Sequence, residues 1–315
     1  MQAKVLVNTL NMDHAQWLQA RTQGIGGSDV SAIAGLNKWK SAVQVFFEKT
    51  QAIEKEDIQS EAAYFGNVLE EVVANEFAKR TDLKVQRRNA ILQHPEYPWM
   101  LANVDRLIVG EKIGLECKIA SEYLKKEWEG EEVPAAYLLQ CQHYMAVTGY
   151  EAWWIAVLIG GNKFVHKKIE RDEELIQYLI DIEKDFWFNN VEKNEPPMFD
   201  GSDASTELLK HLYPESIADS FVSLGKQEEL LIEAREQVDR EIKVLQEQKA
   251  EYENEIKEKL GMNEAGGTEN YKIYWKTYST KRFDSKRFKA EHPDLYEQYA
   301  KESKSRKFTV KQGRK

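Results

Sequence analysis

The chain holds 315 residues, 42% of them hydrophobic and 11% aromatic, which supports a core and excludes a chain disordered throughout. Its longest apolar run, Ala152 to Ile159, is strand-length and too short to cross a membrane as a helix; Cys117 and Cys141 alone make neither a disulfide framework nor a zinc knuckle. The net charge of −9 is uneven: residues 271–315 carry 14 Lys/Arg against 5 Asp/Glu, or +9, which leaves −18 on the rest. An acidic body with a basic tail suits contact with a polyanion or an acidic protein, and it equally fits a solvated tail. The N-terminal text has no signal-like apolar segment, so a cytoplasmic protein without a membrane partner is expected.

In chain order, Asp13 caps a short helix over 13–20 with Trp17 facing inward. A glycine-rich turn, Gly24-Ile-Gly-Gly-Ser28-Asp29, opens a second helix at Ser28 or Asp29, and a third spans Ser41 to Thr50. A charged surface loop over 54–61 precedes a long periodic helix from Glu61 to Arg80. The texture then changes to short strands at 85–88, 90–93, 101–109 and 113–120, the last two joined as a hairpin through Gly110. Pro134 opens a helix that closes near Gly149, a hairpin through Gly160-Gly161 joins strands 153–159 and 163–169, and a helix runs from Asp172 to Asn190. The order predicts an α/β core with a central mixed sheet flanked by helices over residues 1–200. Residues 201–225 read as a linker. Beyond it, 226–315 form a charged helical segment, as one helix, a helical hairpin or a coiled coil over 226–260, and a basic subdomain with strands at 271–279 and 307–311 and a helix capped by Asp284.

Glu116 and Lys118 lie two apart on a strand and share a face, and Asp105 sits on the hairpin partner. Two carboxylates converging with an ammonium suit Mg²⁺ and a phosphodiester, the lysine being placed to orient or deprotonate a water and to balance charge. Taken singly, each of these residues is also ordinary strand polarity. Three neighbours strengthen the set. Glu70 lies on the preceding helix, four residues after Gly66. Gln140 and Tyr144 share one face of the following helix. Arg21 and Ser28 bracket the glycine-rich turn, a candidate anion site. Glu71 points about 100° away from Glu70, so only one of the two faces the site, and the Gly66 spacing favours Glu70. His143 and His166 have no partner at ligand spacing, and Cys117 has no histidine placed to activate it.

The ordered set resembles the YqaJ-like viral recombinase family, lambda-exonuclease-like nucleases of the restriction-endonuclease-like superfamily. The matching text is Trp17-Leu-Gln-Ala-Arg21 through Ser28-Asp29, Phe65-Gly66-Asn-Val-Leu-Glu70, Ala102-Asn-Val-Asp105 with Leu115-Glu116-Cys-Lys118, and Tyr137-Leu-Leu-Gln140-Cys-Gln142-His-Tyr144, within about residues 12–200. Val104 replaces the signature proline, and Asn103 stands where a serine would help hold a phosphate. The resemblance implies that Asp105, Glu116 and the Cys117 carbonyl bind Mg²⁺, with Mn²⁺ as a substitute. It makes Lys118, Glu70 and Gln140 catalytic and puts Arg21, Ser28 and Tyr144 at the substrate. It also implies a metal-dependent deoxyribonuclease acting 5′-to-3′ on linear duplex DNA with a 5′-phosphate end, a homotrimer, and a RecT-like single-strand annealing partner in phage-type recombination. An endonuclease or structure-specific nuclease of the same fold, and a non-catalytic DNA-binding scaffold, are the alternatives.

Overall fold

The computed structural model describes residues 3–51, 61–302 and 305–312. The chain forms two compact units that part between Leu212 and Tyr213. The first opens with β1 (Lys4–Asn8), a strand that the sequence pattern does not announce. It is followed by α1 (His14–Arg21), β2 (Ile25–Gly26), α2 (Gly27–Ile33), α3 (Ala42–Thr50) and α4 (Glu61–Thr81). Asp13 caps α1 by accepting from the Gln16 backbone N–H at 2.8 Å while the Gln16 side chain accepts from the Asp13 N–H at 3.2 Å. The expected loop over 54–61 lies outside the described residues except for Glu61, the first residue of α4.

Next come β3 (Val85–Arg87), β4 (Ala90–Gln93), β5 (Met100–Asn103), β6 (Arg106–Ile108), β7 (Ile113–Ala120), α5 (Ala135–Thr148), β8 (Ala152–Ile159), β9 (Lys163–Glu170), α6 (Glu173–Phe186) and α7 (Asp203–Leu212). The central sheet runs β3-β6-β7-β8-β9, with β7 and β8 parallel and the other neighbours antiparallel. Helix α5 supplies the crossover that a parallel pair requires. A smaller sheet orders β1-β4-β5-β2. The fold is therefore of the expected α/β class, a central mixed sheet flanked by helices.

Strand alternation sorts the core into two layers. Leu115, Cys117 and Ala156 face α4, which buries Val73, Ala74 and Phe77 against them. Ile155 and Val157 face the other way, toward Cys141 and Met145 of α5. Glu116, paired in register with Ile155, therefore points to the α5 side.

Three sequence expectations are corrected. The strand expected over 101–109 breaks at Val104–Asp105, so β5 belongs to the small sheet and β6 to the central one. Helix α7 occupies part of the expected linker and buries Leu208. Residues 307–311 form no strand.

The second unit contains α8 (Lys226–Leu260), β10 (Ala265–Gly267), β11 (Lys272–Tyr274), α9 (Ser285–Glu291) and α10 (Pro293–Tyr299). Helix α8 is one unbroken element of 35 residues rather than a helical hairpin. Side-chain pairs one turn apart, such as Arg235–Asp239 and Lys249–Glu253, line its surface. No helix among the described residues is long and apolar enough to cross a membrane.

Candidate active site

The break between β5 and β6 places Asp105 at the junction of the two sheets, beside the middle of β7. Its Oδ2 accepts from the Cys117 backbone N–H at 2.8 Å. On β7, the Glu116 Oε1 meets Lys118 Nζ at 2.5 Å and accepts from Gln140 Nε2 at 2.6 Å. Glu116 is buried, and its second oxygen, Oε2, has no hydrogen-bond partner among the described residues. Burial, then the neighbouring Glu116 charge, pushes the Asp105 carboxyl well above the usual range, against the pull of Lys118. Burial opposes the charge on Lys118, but Glu116 and Asp105 outweigh it and hold the ammonium more firmly protonated than usual. The Cys117 thiol points away into the α4 layer, and burial raises its pKa far above the ordinary thiol value. Both features disfavour the thiolate that a nucleophile requires.

Glu70 approaches from α4 and shares an open cleft of about 520 Å³ with Asp105, Asn67, Asn103, Arg88 and Trp17. Its carboxylate is held by Arg106, whose side chain is only 4% exposed and whose second nitrogen donates to Glu71 at 2.8 Å. Glu71 also pairs with Arg87 at 2.8 Å. Both acids thus converge on one guanidinium, and of the two only Glu70 lines the cleft with Asp105.

Gln140 and Tyr144 share a face of α5, as expected. Gln140 Nε2 donates both to Glu116 and to the Tyr144 hydroxyl at 2.8 Å, and that hydroxyl donates to the Asn103 carbonyl at 3.1 Å. Tyr144 is buried, so it stands behind Gln140 rather than at an exposed substrate surface.

Arg21 and Ser28 are brought together. The guanidinium donates to Ser28 Oγ at 2.9 Å and lies 4.7 Å from the centre of the Trp17 ring, while Ser28 itself is exposed. Beneath them Asp29 is fully buried and meets Lys49 at 2.6 Å and Lys40 at 2.8 Å. It also accepts from the Gly26 N–H at 3.1 Å, and Lys49 donates to the Arg21 carbonyl at 3.0 Å.

The acids fit a divalent cation. Two carboxylates that repel one another, Asp105 on the cleft and the buried Glu116 with an oxygen that has no partner among the described residues, are what a hard cation would satisfy, and Mg²⁺ commonly takes one or two protein carboxylates plus water and phosphate oxygens. Among the described residues no group of three or more His, Cys, Asp or Glu is placed to hold a metal ion, so the side-chain acids available here are the pair Asp105 and Glu116. Glu70 is engaged by Arg106 instead.

Residues 16–151 match the family described as YqaJ-like viral recombinase domain. The uncharacterized protein YqaJ of Bacillus subtilis (strain 168) is 46% identical over 312 residues, 98% of each chain. The chain belongs to the YqaJ-like viral recombinase family. Among solved structures this YqaJ-family chain is similar to an alkaline exonuclease, LHK-Exo, from Laribacter hongkongensis, at 18% identity and a TM-score of 0.49, covering 63% of this chain and 97% of that one. It is also similar to a phage related exonuclease from Haemophilus somnus 129PT, at 14% identity and a TM-score of 0.39, covering 54% and 96%.

Within the YqaJ-matched segment, sequence reasoning missed Arg106 and the Asp29–Lys40–Lys49 cluster. Signals exist for two of these residues. Arg106 interrupts the apolar text Val104 to Val109, and Lys49 falls three and four residues after Phe46 and Val45, on the buried face of α3. A cation at an apolar-face position implies a buried counterion.

Proposed function

We propose that this protein is a Mg²⁺-dependent DNA exonuclease, Mn²⁺ serving as a substitute, that degrades linear duplex DNA 5′-to-3′ and leaves single strands for phage-type recombination. The observation that carries this reading is the buried Glu116 Oε2, without a partner among the described residues, beside Asp105 and with Lys118 Nζ on the same carboxylate. Asp105 and Glu116, with the Cys117 carbonyl, would hold the cation. When bound, it would polarise a phosphoryl oxygen and offset the charge that builds up on the phosphate. Lys118 presents a protonated Nζ, which suits orienting a water and balancing that charge. Gln140 Nε2 keeps the Glu116 carboxylate aimed, and Tyr144 fixes Gln140 through its hydroxyl. Glu70 is a further acid on the cleft, available once released from Arg106.

Arg21 Nη2 and Ser28 Oγ, already paired, offer donors suited to a terminal 5′-phosphate. A homotrimer acting with a RecT-like annealing protein completes the reading and rests on the family resemblance alone. The test is nucleotide release from linear and from closed circular duplex, with Mg²⁺ and with EDTA. The reading expects release from linear DNA only, and only with the metal. Nicking of closed circles would make the protein an endonuclease, and no cleavage of either substrate would leave a DNA-binding scaffold.

A further inference from the structure

The β10–β11 ribbon has two unlike faces. Gly266 pairs with Ile273, and a Cβ on Gly266 would lie 2.6 Å from Leu260 Cδ2, so this face closes on the buried last residue of α8. Alternation turns Lys272 and Tyr274 to the opposite face. Their cross-strand partners there are Gly267 and Ala265, the two smallest residue types. No bulky partner on the ribbon therefore stands across from Tyr274, which is 62% exposed. The ladder continues through the bond from the Trp275 N–H to the Glu264 carbonyl at 2.9 Å, and Lys276 Nζ lies 5.3 Å from the centre of the Tyr274 ring.

We propose that the Lys272–Tyr274–Lys276 face of this ribbon binds single-stranded DNA. An exposed ring on a flat, small-residue surface suits stacking by an unpaired base, and stacking is tolerant of sequence because every base has a π-face. Lys272 and Lys276 flank the ring two residues away on either side, where they reach the phosphates that adjoin a stacked base. The +9 charge of residues 271–315 is largely offset within the second unit by the acidic residues of α8, so the phosphate attraction of this face is local and comes from Lys272 and Lys276. Tyr271, Tyr278 and Phe283 are also exposed, which extends the aromatic and basic text along the same segment. The proposal rests on the nuclease reading only for its ligand, the strand that digestion leaves unpaired.

The test uses the full chain in EDTA, so that binding is measured without cleavage, with a fluorescent oligo(dT) of about 20 nucleotides, long enough to span one single-strand site, followed by anisotropy across a salt series. Tyr274→Ala should weaken binding roughly tenfold, and Tyr274→Phe should restore it, because the ring and not the hydroxyl does the stacking. Lys272→Ala with Lys276→Ala should make the slope of log affinity against log salt shallower by about 1.4, two phosphates' worth for a single strand. Metal-dependent cleavage of short linear duplex should be unchanged in all three variants. If affinity and salt slope are the same in every variant, the ribbon is not a single-strand surface and its basic face is left for an acidic protein. A failure of the nuclease reading would appear separately, as wild-type protein that binds oligo(dT) in EDTA but cleaves nothing when Mg²⁺ is added.

Discussion

Gly27 lies against the ring of Tyr144 so closely that a Cβ there would sit 2.6 Å from its Cε1 and 2.9 Å from its Cζ. The same Cβ would be 3.1 Å from Gln140 Cγ, so the start of α2 is packed directly on the pair that aims Glu116. Gly27→Ala should therefore displace Tyr144 and Gln140, costing about 1–3 kcal/mol of stability. Cleavage should fall on the order of 100-fold, since misplacement of about 1 Å has that effect. Combining it with Tyr144→Leu in a double-mutant cycle should give strongly non-additive stabilities by urea unfolding. Additive values would mean that the contact carries no strain.

Glu116→Gln and Asp105→Asn should each abolish Mg²⁺ binding by calorimetry and abolish cleavage. Asp105→Asn should not lower the melting temperature of the metal-free protein, because it neutralises an acid that Glu116 repels, whereas Glu116→Gln should lower it by removing the partner of Lys118. Lys118→Ala should abolish cleavage while Mg²⁺ still binds. Full activity in Lys118→Ala would overturn the assignment of the site.

Arg21→Ala should reduce the preference for 5′-phosphorylated over 5′-hydroxyl ends by about 1.5–3 kcal/mol, the value of a hydrogen bond to a charged group. Rates on matched duplexes with the two kinds of end measure it. Equal wild-type rates would show that Arg21 and Ser28 read something else.

Asp29→Asn leaves the buried Lys49 without a carboxylate partner and Lys40 with Glu48 alone, which should destabilise the fold by about 3–5 kcal/mol. Burial alone would raise the Asp29 pKa, but Lys40, Lys49 and Arg21 hold it well below 3.8. Its stabilisation is therefore complete above that ordinary value and lost as pH falls through the lower folded one. Acid unfolding curves should show less pH dependence below about pH 4 in Asp29→Asn than in the wild type.

His143 and Glu183 are both fully buried, with Nδ1 and Oε1 2.8 Å apart, and His143 Nε2 bonds the Leu101 carbonyl at 2.8 Å. Burial would lower the histidine pKa, but Glu183 and that carbonyl raise it above 6.5. A histidine raised on folding gives stability that is complete below 6.5 and lost as pH climbs through the folded value. Burial also raises Glu183, which acts in the same direction. Urea midpoints should fall as pH rises above 6.5, and replacing both partners, His143→Leu with Glu183→Leu, should flatten that decline. A pH-independent wild type in this range would refute the coupling.

Much of the site is legible in the sequence because its signals are local. Two-residue spacing puts Glu116 and Lys118 on one face of a strand, and four-residue spacing does the same for Gln140 and Tyr144 on a helix. The turn between Arg21 and Ser28 predicts them as a pair, and their side chains do meet. The helix caps at Asp13, Ser41 and Asp284 depend only on neighbouring backbone donors, so they too can be read from the chain.

What the amino-acid order determined alone was therefore the α/β class, most of the element sequence and which acids share a strand or helix face. Only the tertiary structure decided that β5 and β6 part at Asp105, that Arg106 draws Glu70 and Glu71 together, and that Tyr144 stands buried behind Gln140. It also decided that Asp29 is the anion beneath Arg21 and Ser28. The physical reason is that periodicity reports a residue's direction within its own element, whereas a buried charge is paired by groups 11 to 40 positions away in the chain, as in Asp29–Lys40 and His143–Glu183. Such pairs form only when packing removes water and makes an unmatched charge costly.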